Sequence, residues 1–429
     1  MHNQKRDEYK ARFRDEKIAK VLAKKANKWH TVMVDLLHRR HTDTNDDDDG
    51  NISNATNTKE TLDIIANMLT VNPDPLQLWN HRREILLGTV SATSQSEEKG
   101  HISFLPQEQQ LTQSALQRNP KAYGAWFHRK WSIRYHLLHF SKFREENQKL
   151  LKGELGLCEE FLMLDERNFH CWHYRRFVVA ALAHVLGERC MDSCDDSHAG
   201  ELDSSWAWCD ELQETLGEEF PKIGSQIVPT KANCDDKPRA YKLADAERQA
   251  LLEREWDFTT QKIQDNFSNG SAFHYRSKLL PLIHAGSSLE RGDRVRQELE
   301  FTQNAFFAEP DDQTAWWYHR FLLSWADPFD GSNRDVDDEV VYEYKSTLME
   351  EYNSISELVE EEEGKCKWGL LGLLQICQAF CKLELTSVQI DDEFHNGEYW
   401  VNMTNVYLAK LQEIDPDRSN RYKSMVILQ

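Results

Sequence analysis

Residues 165–176 read DERNFHCWHYRR, and the tetrad inside them, Trp172-His173-Tyr174-Arg175, recurs along the chain. It returns as Trp79-Asn80-His81-Arg82, Trp126-Phe127-His128-Arg129 and Trp317-Tyr318-His319-Arg320, and with Phe in place of Trp as Phe273-His274-Tyr275-Arg276. The spacing is 47 from Trp79 to Trp126, 46 from Trp126 to Trp172 and 44 from Phe273 to Trp317. A period in the forties with helical pattern inside each unit predicts a solenoid of helix pairs. The 101 residues from Trp172 to Phe273 then hold one repeat and an insertion of about 55 residues.

In a helix the first and fourth residues of the tetrad share a face, so the ring and the guanidinium lie one above the other. The motif reads as architecture before function. Each Trp is a stacking anchor, and each Arg reaches towards a neighbouring repeat or an outside ligand.

Composition agrees with an all-α protein that has a large core. The 429 residues are 40% hydrophobic, with 18 glycines and 11 prolines. A net charge of -20 argues against binding nucleic acid or anionic membrane through the average surface, although local basic patches stay open. The first thirty residues are charged throughout and no long apolar run follows, so a cytoplasmic location is expected. Nine scattered cysteines suit a reducing compartment.

Taken in order, residues 1–41 form a charged N-terminal segment. Its second half carries Ile18, Val21, Leu22, Trp29, Val32, Val34, Leu36 and Leu37, and is expected to pack on the first repeat as one or two helices. Residues 42–59, with Asp46, Asp47, Asp48 and Asp49 in a row, read as an acidic, disordered loop. Repeats one to three occupy 60–187, an insertion 188–240, repeats four and five 241–326, and a C-terminal helical cap 339–429. Asn72-Pro73, Asn119-Pro120 and Glu309-Pro310 punctuate the hairpins, since Pro disfavours helix in the residue before it and suits the first turn after it.

The blocks NPDPLQLWNHRREIL (72–86), NPKAYGAWFHRKW (119–131), DERNFHCWHYRRFV (165–178), NFSNGSAFHYRSKLLP (266–281) and EPDDQTAWWYHRFLL (309–323) resemble the protein prenyltransferase α-subunit repeat. Within that family the wording is most similar to the Rab geranylgeranyltransferase (type II) branch. The resemblance implies a right-handed superhelical crescent of helical hairpins wrapped around a β subunit that carries zinc. It also implies an enzyme active only as that heterodimer, which moves geranylgeranyl groups from geranylgeranyl diphosphate to C-terminal cysteines of Rab GTPases presented by an escort protein. Two alternatives stay open: the α subunit shared by farnesyltransferase and type I geranylgeranyltransferase, and a non-catalytic helical-repeat scaffold.

Lys121 is the leading candidate. A cation at a helix start is locally unfavourable, yet the two positive features together suit an anion. The resemblance assigns Lys121 to the leaving diphosphate, and Tyr123, Asn168 and His170 to positions facing a shared active site. Gly124 stands where the farnesyl-transferring relatives have a glutamine for the peptide carboxylate, which implies that this site does not select short Cys-a-a-X peptides by their end. No metal is expected in this chain: Cys190, Cys194 and His198, or Cys377 and Cys381, lack the paired spacing of a structural zinc site. His2 resembles the Met-His start of some relatives and is given no role.

Overall fold

The computed structural model describes residues 16–43, 53–93, 104–140, 143–187, 238–283, 288–329, 336–384 and 396–425, and among these there is no strand. They form two compact units, Met1–Asn147 and Gln148–Gln429. The first holds α1 (Glu16–Asp43), the hairpin α2 (Ser53–Val71) with α3 (Leu76–Thr93), and the hairpin α4 (Leu105–Arg118) with α5 (Tyr123–His139). The boundary falls in the first turn of α6 (Arg144–Leu164), which pairs with α7 (Phe169–Gly187). The second unit continues with α8 (Pro238–Asp265) and α9 (Gly270–Ile283), α10 (Ser288–Ala308) and α11 (Gln313–Ala326), and α12 (Asp338–Glu361), α13 (Lys367–Glu384) and α14 (Gly397–Ile414). A short α15 (Ser419–Lys423) follows.

One boundary differs from the sequence reading. Helix α2 begins at Ser53, so residues 53–59 are helical instead of loop; a helix anchored by buried Thr61 and Ile65 propagates cheaply through polar residues at its open end. Residues 44–52 lie outside the described residues, as do 188–237, which hold most of the expected insertion. Of residues 1–41, the described ones, 16–41, lie in one helix. Of its apolar residues Leu36 is buried, whereas Ile18, Val21, Leu22 and Val34 are exposed, so the packing expected along the segment is confined to its C-terminal part.

The tetrads are where the hairpins lock. Trp79, Trp126 and Trp172 are buried, and each indole N–H donates to the carbonyl six residues earlier, of Pro73 (2.9 Å), Pro120 (2.8 Å) and Glu166 (2.8 Å). This bond pins the ring to the turn before its own helix. In the last copy the residue that does so is Trp316, which bonds Pro310 O at 3.0 Å, while Trp317 is 67% exposed. The fifth tetrad is therefore Trp316-Trp317-Tyr318-His319, one residue earlier than the sequence reading. Two adjacent tryptophans had left the register ambiguous.

In four of the five tetrads the fourth residue couples repeats, and Arg129 bonds Gln109 O and Thr112 Oγ1 of its own hairpin. Arg82 grips Glu108 of the next hairpin through Nε (2.7 Å) and Nη2 (2.6 Å). Arg175 holds Glu255 through both nitrogens at 2.7 Å, and Arg276 holds Glu298 at 2.6 and 2.9 Å. In the corrected fifth tetrad His319 takes this place and meets Glu351 at 2.9 Å. The third residue closes three of these glutamates from within the hairpin, His128 to Glu108 (2.7 Å), Tyr275 to Glu255 (3.2 Å) and Tyr318 to Glu298 (2.8 Å), and Tyr174 bonds Glu154 of its own hairpin at 2.7 Å. A buried glutamate satisfied from two sides is tolerated where an unpaired one would not be.

One such node predicts acid sensitivity. Burial opposes the charge of Glu108, but hydrogen bonds from Arg82 and His128 outweigh it and hold the carboxyl down at about 2. Burial also keeps His128 neutral, its pKa lowered from 6.5 to about 4 although Glu108 pulls the other way. Both groups bind fewer protons folded than unfolded, so both contribute stability that is lost as pH falls: the His128 part from about 6.5 to about 4, the Glu108 part below the ordinary carboxylate range. Denaturation midpoints measured from pH 7 to pH 4 should therefore fall, and His128→Gln should flatten that slope by up to about 1.4 kcal/mol per pH unit. An unchanged slope in the variant would show that His128 titrates normally.

Gly124 has a packing reason. A Cβ there would lie 2.6 Å from Trp79 Cδ1 and 3.0 Å from Leu76 Cδ2, because the first turn of α5 rests directly on the indole of the preceding hairpin. Its missing side chain is a condition of this close approach. Gly124→Ala should cost about 1–3 kcal/mol by overpacking. A calorimetric melting temperature unchanged from wild type would refute that contact.

Candidate functional site

The turn carrying Lys121 is built by its neighbours. Asn119 Oδ1 accepts the Lys121 backbone N–H at 3.1 Å, and Asn119 Nδ2 donates to Asp74 of the preceding turn at 2.8 Å. Such a side-chain turn fixes the backbone without using the lysine's own side chain. Asn72 and Asn266 make the same bond to Asp74 N–H (3.2 Å) and Ser268 N–H (2.8 Å). Lys121 lies one residue before the helix cap, not inside α5, and is exposed. The cap, Ala122, offers no side-chain acceptor to the first-turn N–H groups. An anion placed here would meet a lysine and the positive end of a helix together.

Beside it runs an aromatic row. Tyr123 is 57% exposed and stacks on Phe127 with centroids 6.1 Å apart. The Arg83 guanidinium lies 4.9 Å above Phe127, and Arg83 Nη1 is 3.5 Å from His128 Nδ1. Partial burial lowers the Arg83 pKa, against the pull of Glu84. The sequence reading missed Arg83 and Phe127. The only available signal was that each falls on the exposed side of a tetrad, one residue past its Arg or its Trp.

Asn168 and His170 belong to the second unit. Asn168 is buried at 1% exposure, and its Oδ1 accepts the N–H groups of His170 (3.2 Å) and Cys171 (3.3 Å), so it caps α7. His170 lies against the exposed ring of Phe169, centroids 3.9 Å apart. Met163 and Leu164, at the end of α6, are exposed as well. Lys121 and Tyr123 thus share one turn of the first unit, and Asn168 and His170 one turn of the second.

Among the described residues no group of three or more His, Cys, Asp or Glu is placed to hold a metal ion. Cys377 and Cys381 stand one turn apart on α13, while Cys190, Cys194, His198 and His2 lie outside the described residues. No described helix is long and apolar enough to cross a membrane.

Comparison with known proteins follows the hairpins. The model of the protein prenyltransferase alpha subunit repeat matches residues 105–136, 151–182, 252–283 and 295–326, that is, α4/α5, α6/α7, α8/α9 and α10/α11. Bos taurus geranylgeranyl transferase type-2 subunit alpha is 35% identical over 278 residues, covering 63% of this chain. The chain spans about a third of the length of that relative, 34%. The Candida albicans protein of the same name is 25% identical over 398 residues, covering 86% of both chains. The Saccharomyces cerevisiae one is 23% identical over 364 residues, covering 85% of this chain and 84% of its own. Four hairpins of this chain thus match the protein prenyltransferase alpha subunit repeat, and the similarity to the two fungal proteins extends over about 85% of its length.

Proposed function

We propose that this chain is the α subunit of a Rab geranylgeranyltransferase. It pairs with a β subunit that carries the zinc ion. The heterodimer takes geranylgeranyl from geranylgeranyl diphosphate to C-terminal cysteines of Rab GTPases presented by an escort protein in the cytoplasm. The observation that carries this reading is the similarity over 86% of both chains to the Candida albicans subunit, which reaches far beyond the repeats themselves.

The chemistry assigned to this chain is electrostatic. As the carbon–oxygen bond to the diphosphate breaks, negative charge gathers on the departing oxygens. Lys121, on a turn held by Asn119 and beside an uncapped helix start, supplies positive charge there. Tyr123 and Phe127 offer an apolar wall next to it. In this reading Asn168 acts through the backbone it caps, and His170 through its exposed aromatic neighbour.

Two measurements test the proposal. A tagged copy of the chain should co-purify with one stoichiometric, zinc-bearing partner, and the isolated chain should prenylate nothing. The assembled pair, given geranylgeranyl diphosphate, should modify Rab with escort protein and handle a Cys-a-a-X peptide poorly. Efficient escort-free turnover of the peptide would favour the α subunit shared by farnesyltransferase and type I geranylgeranyltransferase. Absence of any stable partner would favour a scaffold.

A further inference from the structure

The first half of α1 inverts the charge of the chain. The whole protein carries -20, yet residues 16–34, EKIAKVLAKKANKWHTVMV, hold Lys17, Lys20, Lys24, Lys25 and Lys28 against the single acid Glu16. Helical spacing puts Ile18, Val21, Leu22, Lys25 and Trp29 along one face, and Lys17, Lys20, Lys24 and Lys28 in a row on its flank. Every residue from 20 to 28 is exposed. The apolar stripe is bare: Ile18 is 39%, Val21 55% and Leu22 40% exposed. Burial grows towards the far end, where Trp29, Val32 and Met33 are half-buried, Leu36 is buried and Arg39 lies 3.6 Å from Glu60 of α2.

We propose that this half-helix docks on an anionic lipid bilayer, lying in the interface with Ile18, Val21 and Leu22 towards the acyl chains and the lysine row at the headgroups. Charge complementarity selects the surface, since the acidic remainder of the chain is repelled by anionic lipid and the helix is attracted to it. The stripe selects lipid over a protein groove. Its exposed part consists of the aliphatic Ile18, Val21 and Leu22, the one aromatic of the stripe, Trp29, being half-buried, and a lysine in mid-stripe is accommodated by extending its stem to the headgroups. Docking is peripheral, because an amphipathic helix of low net hydrophobicity lies on a bilayer without crossing it. A surface of this kind would hold the protein where a lipid-modified product must be delivered, but the inference does not rest on the catalytic reading.

The test is co-sedimentation of the full-length chain, alone and assembled with its β subunit, with vesicles of phosphatidylcholine or of phosphatidylcholine and phosphatidylserine. Retention on the phosphatidylserine vesicles should exceed that on neutral ones by about tenfold and weaken with added salt. The triple variant Lys20→Glu, Lys24→Glu, Lys28→Glu should lose it, and Val21→Ser with Leu22→Ser should reduce it, with circular dichroism and melting temperature unchanged because these side chains are exposed. Equal retention on both vesicles, or none, overturns the proposal, as does a charge-reversed variant that still binds. Binding by the isolated chain that disappears on assembly would assign the face to the partner subunit. Calcium-loaded calmodulin serves as a probe groove: a complex with it in the absence of vesicle binding would assign the helix to an acidic protein.

Discussion

Replacing Lys121 by alanine should lower the single-turnover rate of prenyl transfer by about 30- to 1000-fold, equivalent to about 2–4 kcal/mol of lost transition-state stabilisation. Assembly and folding should be unaffected, because Lys121 is exposed and the turn is held by its backbone N–H on Asn119 Oδ1, which alanine keeps. A contact that strengthens as the diphosphate departs lowers the chemical step and leaves ground-state affinity nearly as it was. Lys121→Arg should recover part of the rate, since it restores the charge without the same reach. A wild-type single-turnover rate in the alanine variant would return Lys121 to the ordinary surface and leave the turn as hairpin architecture alone.

The largest stability effect should come from Glu255→Ala, at about 3–5 kcal/mol. Glu255 is fully buried, and Arg175, 1% exposed, gives it two hydrogen bonds of 2.7 Å while its guanidinium lies 3.7 Å over Phe258. Burial would drive the proton from Arg175, but the carboxylate beside it wins and pushes the pKa up. Removing the carboxylate leaves a buried cation whose remaining carboxylate contact is the half-exposed Glu159 at 3.4 Å. The double change Arg175→Met with Glu255→Leu should regain most of the loss, because the penalty lies in the orphaned charge more than in the lost pair. Equilibrium denaturation of the single and double variants checks both statements. A single variant within about 1 kcal/mol of wild type would mean that water or a shifted helix satisfies Arg175 in its place.

Much of the molecule was legible in its sequence. The recurring tetrads, the Asn-Pro and Glu-Pro punctuation and the period in the forties lead to helical hairpins with buried rings at Trp79, Trp126, Trp172 and Phe273. Helical periodicity is a local property, three to four residues long, and repetition amplifies it. The lysine next to a helix start was legible for the same reason: Pro120 and Lys121 stand just before Tyr123, where α5 begins.

What only the tertiary structure decided depends on which side chains meet. The glutamates that accept each arginine lie 26, 80 and 22 positions from Arg82, Arg175 and Arg276, at intervals set by intervening helices and by the 188–237 stretch, so no fixed sequence offset announces them. Trp316 and Trp317 are equivalent in composition, and burial against the Pro310 carbonyl separates them. The close packing of Gly124 against the Trp79 ring is likewise visible only in the fold. The apolar face of α1 is written in the sequence in the same letters as every buried face. That Ile18, Val21 and Leu22 stay exposed is decided in the fold, since amphipathicity says which face a helix can bury and only the packing of its neighbours says whether it is buried.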